Sequence, residues 1–156
     1  MIITFVGHST IYGELDLSVS IEKTILGNAS SKDFISFYCG GYGDFDNLCA
    51  KTCCGLKNKS LDCEVVFVTP YITEAQQEKI KQMLESKIYD TSIYPPLENV
   101  PPKFAITRRN EWMIEQSDLV IAYVKHTHGG AYKTLEYARR KKKQIINLAE
   151  RLLAKP

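Results

Sequence analysis

Apolar positions along the chain follow two rhythms, short unbroken runs and longer stretches in which they recur every third or fourth residue. The first run, Ile2 to Val6, is rich in β-branched side chains and empties into Gly7-His8-Ser9-Thr10, the pattern of a buried strand delivered into a turn. From Gly13 to Leu26 the residues Leu17, Ile21 and Ile25 recur at every fourth position, which predicts a helix stopped by Gly27-Asn28. A second run, Phe34 to Cys39, leads directly into Gly40-Gly41-Tyr42-Gly43-Asp44. Leu48, Cys49, Ala50, Cys53 and Leu56 then carry a helix from Phe45 to Lys57.

Glu64 to Val68 predicts a third strand, closed by Thr69-Pro70, and Glu74 to Ser86 an amphipathic helix. Tyr89 to Tyr94 is a weaker strand, followed by Pro95-Pro96 and Pro101-Pro102, which bracket a flap-like loop. Phe104 to Gln116 reads as a helix and Leu119 to Val124 as a strand. Gly129-Gly130 opens a helix through Lys142, and Gln144 to Leu148 is the last strand. Strands alternating with helices predict an α/β protein, a Rossmann-like three-layer sandwich with a mostly parallel sheet, because parallel neighbours need a long crossover. Ligands of such sheets gather beyond the carboxyl ends of the strands. Gly7, Gly40 to Gly43 and Gly129 to Gly130 are therefore expected on one rim.

Composition narrows the classes. With 156 residues, 44% of them hydrophobic, a single domain over 1–156 can bury its own core without disulfides or metal. Lys and Arg number 20 against 18 Asp and Glu, a formal charge of +2 that argues against a nucleic-acid partner. The one concentrated charge run, Arg139-Arg140-Lys141-Lys142-Lys143, falls where a helix should end and reads as a complement to its dipole. No apolar stretch approaches the roughly 20 residues that span a bilayer, and no basic leader precedes the first strand. A soluble, cytoplasmic protein with no membrane partner is the expectation. Cys39, Cys49, Cys53, Cys54 and Cys63 are odd in number and irregularly spaced, which suits buried small hydrophobes in a reducing compartment better than disulfides or zinc.

Two glycine turns carry the candidate chemistry. At Gly40-Gly41-x-Gly43 and again at Gly129-Gly130, a following helix N-terminus and the lack of side chains let backbone amides approach a phosphate or carboxylate. Asp44 and Asp46 open the helix after the first turn, as caps or as contacts to a ribose. His8 stands at the rim, as ligand contact or structural hydrogen-bond partner, while His126 and His128 lack a third donor for a metal. Trp112 and Tyr132 are candidates to stack on a base, with packing on the helix face the commoner fate of Trp112.

The stretch Arg109-Asn110-x-x-Met113, then Ser117-Asp118, then Gly129-Gly130-Ala131-Tyr132-Lys133-Thr134-Leu135-Glu136 resembles the SLOG superfamily, which includes Lonely Guy phosphoribohydrolases and DNA-processing proteins. Together with the early Phe5-x-Gly7-His8 and the middle glycine turn, the likeness covers nearly the whole chain, and within the superfamily it points to small bacterial and phage members of unknown function. In the Lonely Guy signature an Arg and a Glu act on an N-glycosidic bond. The resemblance maps them to Arg109 and Glu136, a pair suited to holding phosphate and stabilising oxocarbenium charge. The chain departs from that signature at His128, Tyr132 and Lys133.

The ligand-binding set implied is Gly7, His8, Gly40, Gly41, Gly43 and Asp44 from the first half of the chain. Arg109, Asn110, Gly129, Gly130, Ala131 and Thr134 complete it. The leading expectation is a sensor or sequestering module for a nucleotide-derived small molecule, a nucleoside phosphate or an ADP-ribose-like signal, with no cofactor. The alternative is a nucleotide N-glycosidase using Glu136 and Arg109. Relatives of this fold pair through helices, so the resemblance also implies a homo-oligomer.

Overall fold

The sequence rhythms become layers. A computed structural model describes residues 1–30 and 32–153. Six strands, β1 (Ile2–Gly7), β2 (Ile35–Cys39), β3 (Cys63–Val68), β4 (Thr91–Ile93), β5 (Leu119–Tyr123) and β6 (Gln144–Asn147), form one sheet in the order β4-β3-β2-β1-β5-β6. Every pairing is parallel, so the mostly parallel expectation is met in full. Between them run α1 (Glu14–Asn28), α2 (Gly43–Asn58), α3 (Glu74–Glu85), α4 (Ala105–Gln116) and α5 (Gly129–Arg140), with α6 (Leu148–Leu153) after β6.

Because strand side chains alternate in direction, each strand feeds two cores. Ile3 and Phe5 of β1, Phe37 of β2, Phe67 of β3 and Ile121 of β5 meet Leu17, Ile21 and Ile25 of α1 and Phe45, Cys49 and Cys53 of α2. On the opposite face Val6, Val120 and Ala122 meet Ile114 of α4 and Leu135 and Ala138 of α5. Val66, Val68 and Met113 extend that second core, with Trp112 stacked flat on Tyr38 at 5.7 Å. Four of the five cysteines, Cys39, Cys49, Cys53 and Cys63, are buried free thiols.

Two boundaries differ from expectation for local reasons. Gly27 does not end α1: a mid-helix glycine costs about 1 kcal/mol, while burying Ile25 alone contributes roughly 2 kcal/mol. The helix runs on to Asn28, whose amide donates to the Thr24 carbonyl. Leu148 is not strand but the first residue of α6, because Asn147 caps it, accepting from the Ala149 N–H at 3.3 Å. The basic tract caps helix ends as expected, and Lys143 donates from Nζ to the carbonyls of Glu115 and Ser117 at the end of α4. No helix among the described residues is long and apolar enough to cross a membrane.

Candidate functional site

The chain changes its winding direction beside β1. Having moved outward through β2, β3 and β4, it returns through α4 to place β5 on the other side of β1. Loops leaving β1 and β5 therefore diverge at the carboxyl edge of the sheet, and a crevice opens between them. A cavity of about 640 Å³ lies there, lined by Gly7 and His8 after β1, by Gly43 and Asp46 of α2, and by Arg109 and Asn110 of α4. Gly129, Gly130, Ala131 and Thr134 of α5 close it, with His126 and His128 on the loop before them.

Arg109 organises the floor. Its side chain is 1% exposed, and Nη1 donates to the carbonyls of Gly40 (2.8 Å) and Val68 (2.7 Å), tying together the ends of β2 and β3. Nε donates to Asn110 Oδ1 at 2.8 Å. Among the described residues Nη2 has no hydrogen-bond partner, so a buried cation offers one donor edge to the cavity it lines. Burial lowers the guanidinium pKa, with Asp46 opposing that shift, yet an arginine remains charged at any physiological pH.

Asp46 is the only carboxylate among the described lining residues. Burial pushes it up to about 6, while Arg109 and the Tyr42 N–H, which donates to Oδ2 at 3.3 Å, pull it back. Space between Asp46 and Arg109 exists because residue 40 is glycine: a Cβ there would lie 2.9 Å from Asp46 Oδ2 and 3.1 Å from Arg109 Cζ. The Tyr42 ring covers this end, with Arg109 Cζ 5.4 Å from its centroid and Lys79 Nζ 4.8 Å away.

The two glycine turns, equivalent in sequence, differ in structure. At α2 the Asp44 N–H already donates to the Ser9 carbonyl, the Tyr42 N–H to Asp46, and two carboxylates occupy the first turn. That helix end carries its own counter-charge. Asp44 does not line the cavity, and its Oδ2 accepts from the Ile11 N–H at 3.2 Å. Gly40 and Gly41 are also outside the lining; Gly41, at φ 69°, would drive a Cβ to 2.5 Å from Phe67, so packing explains it. At α5 the first turn carries no acidic residue, and His128 in the N-cap position makes no side-chain cap. The space beside its glycines is open: Cβ atoms at Gly129 and Gly130 would meet nothing within 4 Å.

His8, His126 and His128, the only histidines of the chain, meet at this end. His8 Nε2 accepts from the Lys125 N–H at 2.9 Å; the His126 ring lies tilted at 44° against His8, 4.8 Å between centroids, and stacks on His128 at 5.4 Å. No group of His, Cys, Asp or Glu among the described residues has the arrangement of a metal site. Asn147 steadies the loop by clasping Val124, accepting from its N–H and donating to its carbonyl. Glu136 lies elsewhere: it does not line the cavity and pairs with Arg139 on its own helix. Arg109 and Glu136 are thus not brought together in the one cavity.

Sequence reasoning singled out the glycines and Arg109 but gave Asp46 no more weight than Asp44, and it missed Tyr42, Lys125 and Asn147. A signal existed for Asp46: two residues beyond Asp44, it points to a different side of the helix.

No protein-family model and no curated protein matches the sequence. Among solved structures, DNA processing protein A from Helicobacter pylori, described for its single-stranded DNA binding mode, superposes with a TM-score of 0.60 at 14% identity over 93% of this chain. The Streptococcus pneumoniae protein of the same name superposes at 0.60 with 20% identity over 92%. This chain spans 63% and 48% of their respective lengths. The molybdenum cofactor carrier protein of Chlamydomonas reinhardtii gives 0.52 at 15% identity, over 97% of this chain and 82% of that one. The shared feature is a Rossmann-like α/β fold. The near-neutral charge argued against nucleic acid; that inference is corrected by the likeness to a protein with a single-stranded DNA binding mode, since net charge says nothing of how charge is distributed around a cleft.

Proposed function

We propose that this cavity binds a phosphate-bearing, nucleotide-derived small molecule and that the protein acts as its sensor or sequestering module. The phosphate sits at the N-terminus of α5, against the amides of Gly129, Gly130 and Ala131, and the Nη2 edge of Arg109 takes a second acceptor on the ligand. One observation carries the reading: a cation 1% exposed keeps an unpartnered donor in a cavity that also holds an uncapped helix N-terminus. The likeness to a cofactor carrier supports small-molecule binding on this fold.

Calorimetric titration with nucleoside 5′-monophosphates and ADP-ribose, beside the matching nucleosides, tests it. Binding by at least one phosphate-bearing compound and not by its nucleoside is the expected result; a folded protein that binds none of them overturns the reading.

A second reading is favoured by the likeness to DNA processing protein A: the anion is a phosphate of a single strand, with Tyr42 lining the cavity and Lys79 over its ring. Salt separates the two. Affinity for an oligonucleotide held through several phosphates falls steeply with log salt, whereas a mononucleotide shows a shallow slope. The hydrolytic alternative draws no support from Glu136, which pairs with Arg139 outside the lining. Release of free base from a nucleoside monophosphate, abolished by Glu136→Gln, would reinstate it.

A further inference from the structure

The three histidines gather with ring centroids 4.8 and 5.4 Å apart. His126 and His128 are exposed, and neither makes a side-chain hydrogen bond to the described residues. They nevertheless gather, from two loops 117 residues apart at the His8–Lys125 bond, onto the wall of the cavity beside the open end of α5. Resting on the proposed binding reading, we propose that His8, His126 and His128 form a titratable subsite for the dianionic terminal phosphate of a phosphomonoester, taking up a proton as that group binds.

The rings have unequal roles. His8 Nε2 accepts a backbone N–H, so its proton sits on Nδ1 and the ring is held neutral; protonating Nε2 would break the bond that anchors Lys125. Burial and the neighbouring positive groups lower the His8 pKa in the same sense. His126, which lies between His8 and His128, and His128 itself carry no such bond and are free to take up the proton. Two cationic rings at 5.4 Å repel each other without an anion, so proton uptake and anion binding are coupled.

The sign follows. A dianion favours the protonated rings, so the added affinity is present at low pH and declines as pH rises. Other charged groups nearby are Lys125 on the same loop, Asp44 and Asp46 of α2, and Arg109 of α4. Asp46, at about 6, also loses charge in this window and must be separated from the histidines. A dianion satisfies the uncapped helix end and a protonated ring together; a phosphodiester, with one negative charge, does not. Selection for the end of a ligand over an internal linkage is the consequence.

Calorimetry at pH 7.5 in two buffers of different ionisation heat tests this with adenosine 5′-monophosphate, its methyl phosphodiester, and sulfate, which stays dianionic between pH 6 and 8. The monoester is expected to bind about tenfold tighter than the diester, and both monoester and sulfate to take up protons. Both effects vanish in the double variant His126→Gln/His128→Gln, and the proton uptake persists in Asp46→Asn. Equal binding of the two esters without proton uptake overturns the subsite and leaves nucleotide binding standing. Proton-linked sulfate binding with no binding of either ester does the reverse. Proton uptake that survives the double histidine variant also overturns the subsite.

Discussion

Arg109 shows how one side chain serves both the fold and the site. Two of its nitrogens satisfy three acceptors, two of them carbonyls at the ends of neighbouring strands, and only the remaining edge is free for a ligand. Its position was legible from the Arg109-Asn110 motif, but its burial was not, because arginines are rarely interior unless paired. Gly7 was legible as special for a reason that proves incomplete. It lines the cavity, yet a Cβ there would fall 2.1 Å from Phe45 Cδ1, so the absent side chain also makes room for a core ring. Gly7→Ala is expected to destabilise the protein by about 3 kcal/mol through overpacking, read as a lowered urea midpoint. Adding Phe45→Leu should recover part of the loss.

Asp46 extends the residue-scale argument to pH. Its folded-state value of about 6 lies above that of an unfolded aspartate, near 4, so the folded protein binds the extra proton between those values. Stability from this group is present at low pH and declines as pH rises through that window. Asp46→Asn removes the dependence, so its stability relative to the parent should grow by about 2 kcal/mol from pH 4 to pH 7, measured by urea unfolding at both values. A parallel pH response in the two proteins would show that the carboxylate is solvated. A charge that costs stability inside a cleft is a hallmark of a residue retained for binding.

Among the elements, the two helix N-termini are the instructive pair. Both follow strands, both begin with glycine, and sequence alone gave no ground for ranking them. The ranking comes from the fold: Ser9, distant in the chain, accepts the Asp44 N–H and Asp46 in the first turn accepts that of Tyr42, whereas the first turn of α5 has no acidic residue and no side-chain cap. Gly130 offers a clean test, since it lacks a positive φ and has open space where a Cβ would stand. Gly130→Ala should stabilise the free protein by about 0.5–1 kcal/mol through helix propensity and chain entropy, yet weaken phosphate binding by placing a methyl group over the amides. Thermal unfolding and calorimetry on one sample read both effects; a gain in stability with unchanged affinity would locate the anion elsewhere. Helices with long apolar stripes were legible to within a residue or two, while α6 was not, because it spans under two turns and depends on Asn147.

For the whole molecule, the class and the parallel sheet were legible because strand runs and helical stripes alternate without interruption. The place of the cleft was legible too, as a general property of such sheets. What lies between those levels was not: which of the equivalent turns stays open, and where the guanidinium and the carboxylate settle, depend on contacts between segments far apart in sequence. Partner class suffered from the same limit, since a net charge of +2 does not reveal that a buried arginine, Arg109, lines the cleft or that Lys79 lies over the Tyr42 ring at its edge.

The reversal of winding beside β1 has a consequence in time. The first strand waits for residues made much later: Ile2 and Asp118, 116 positions apart, exchange hydrogen bonds only when β5 has slotted in beside it. Until β5 docks, the crevice between the loops leaving β1 and β5 does not exist. On the proposed reading, a compound bound there would tie both wings of the sheet into one cooperative unit and shield it from proteases.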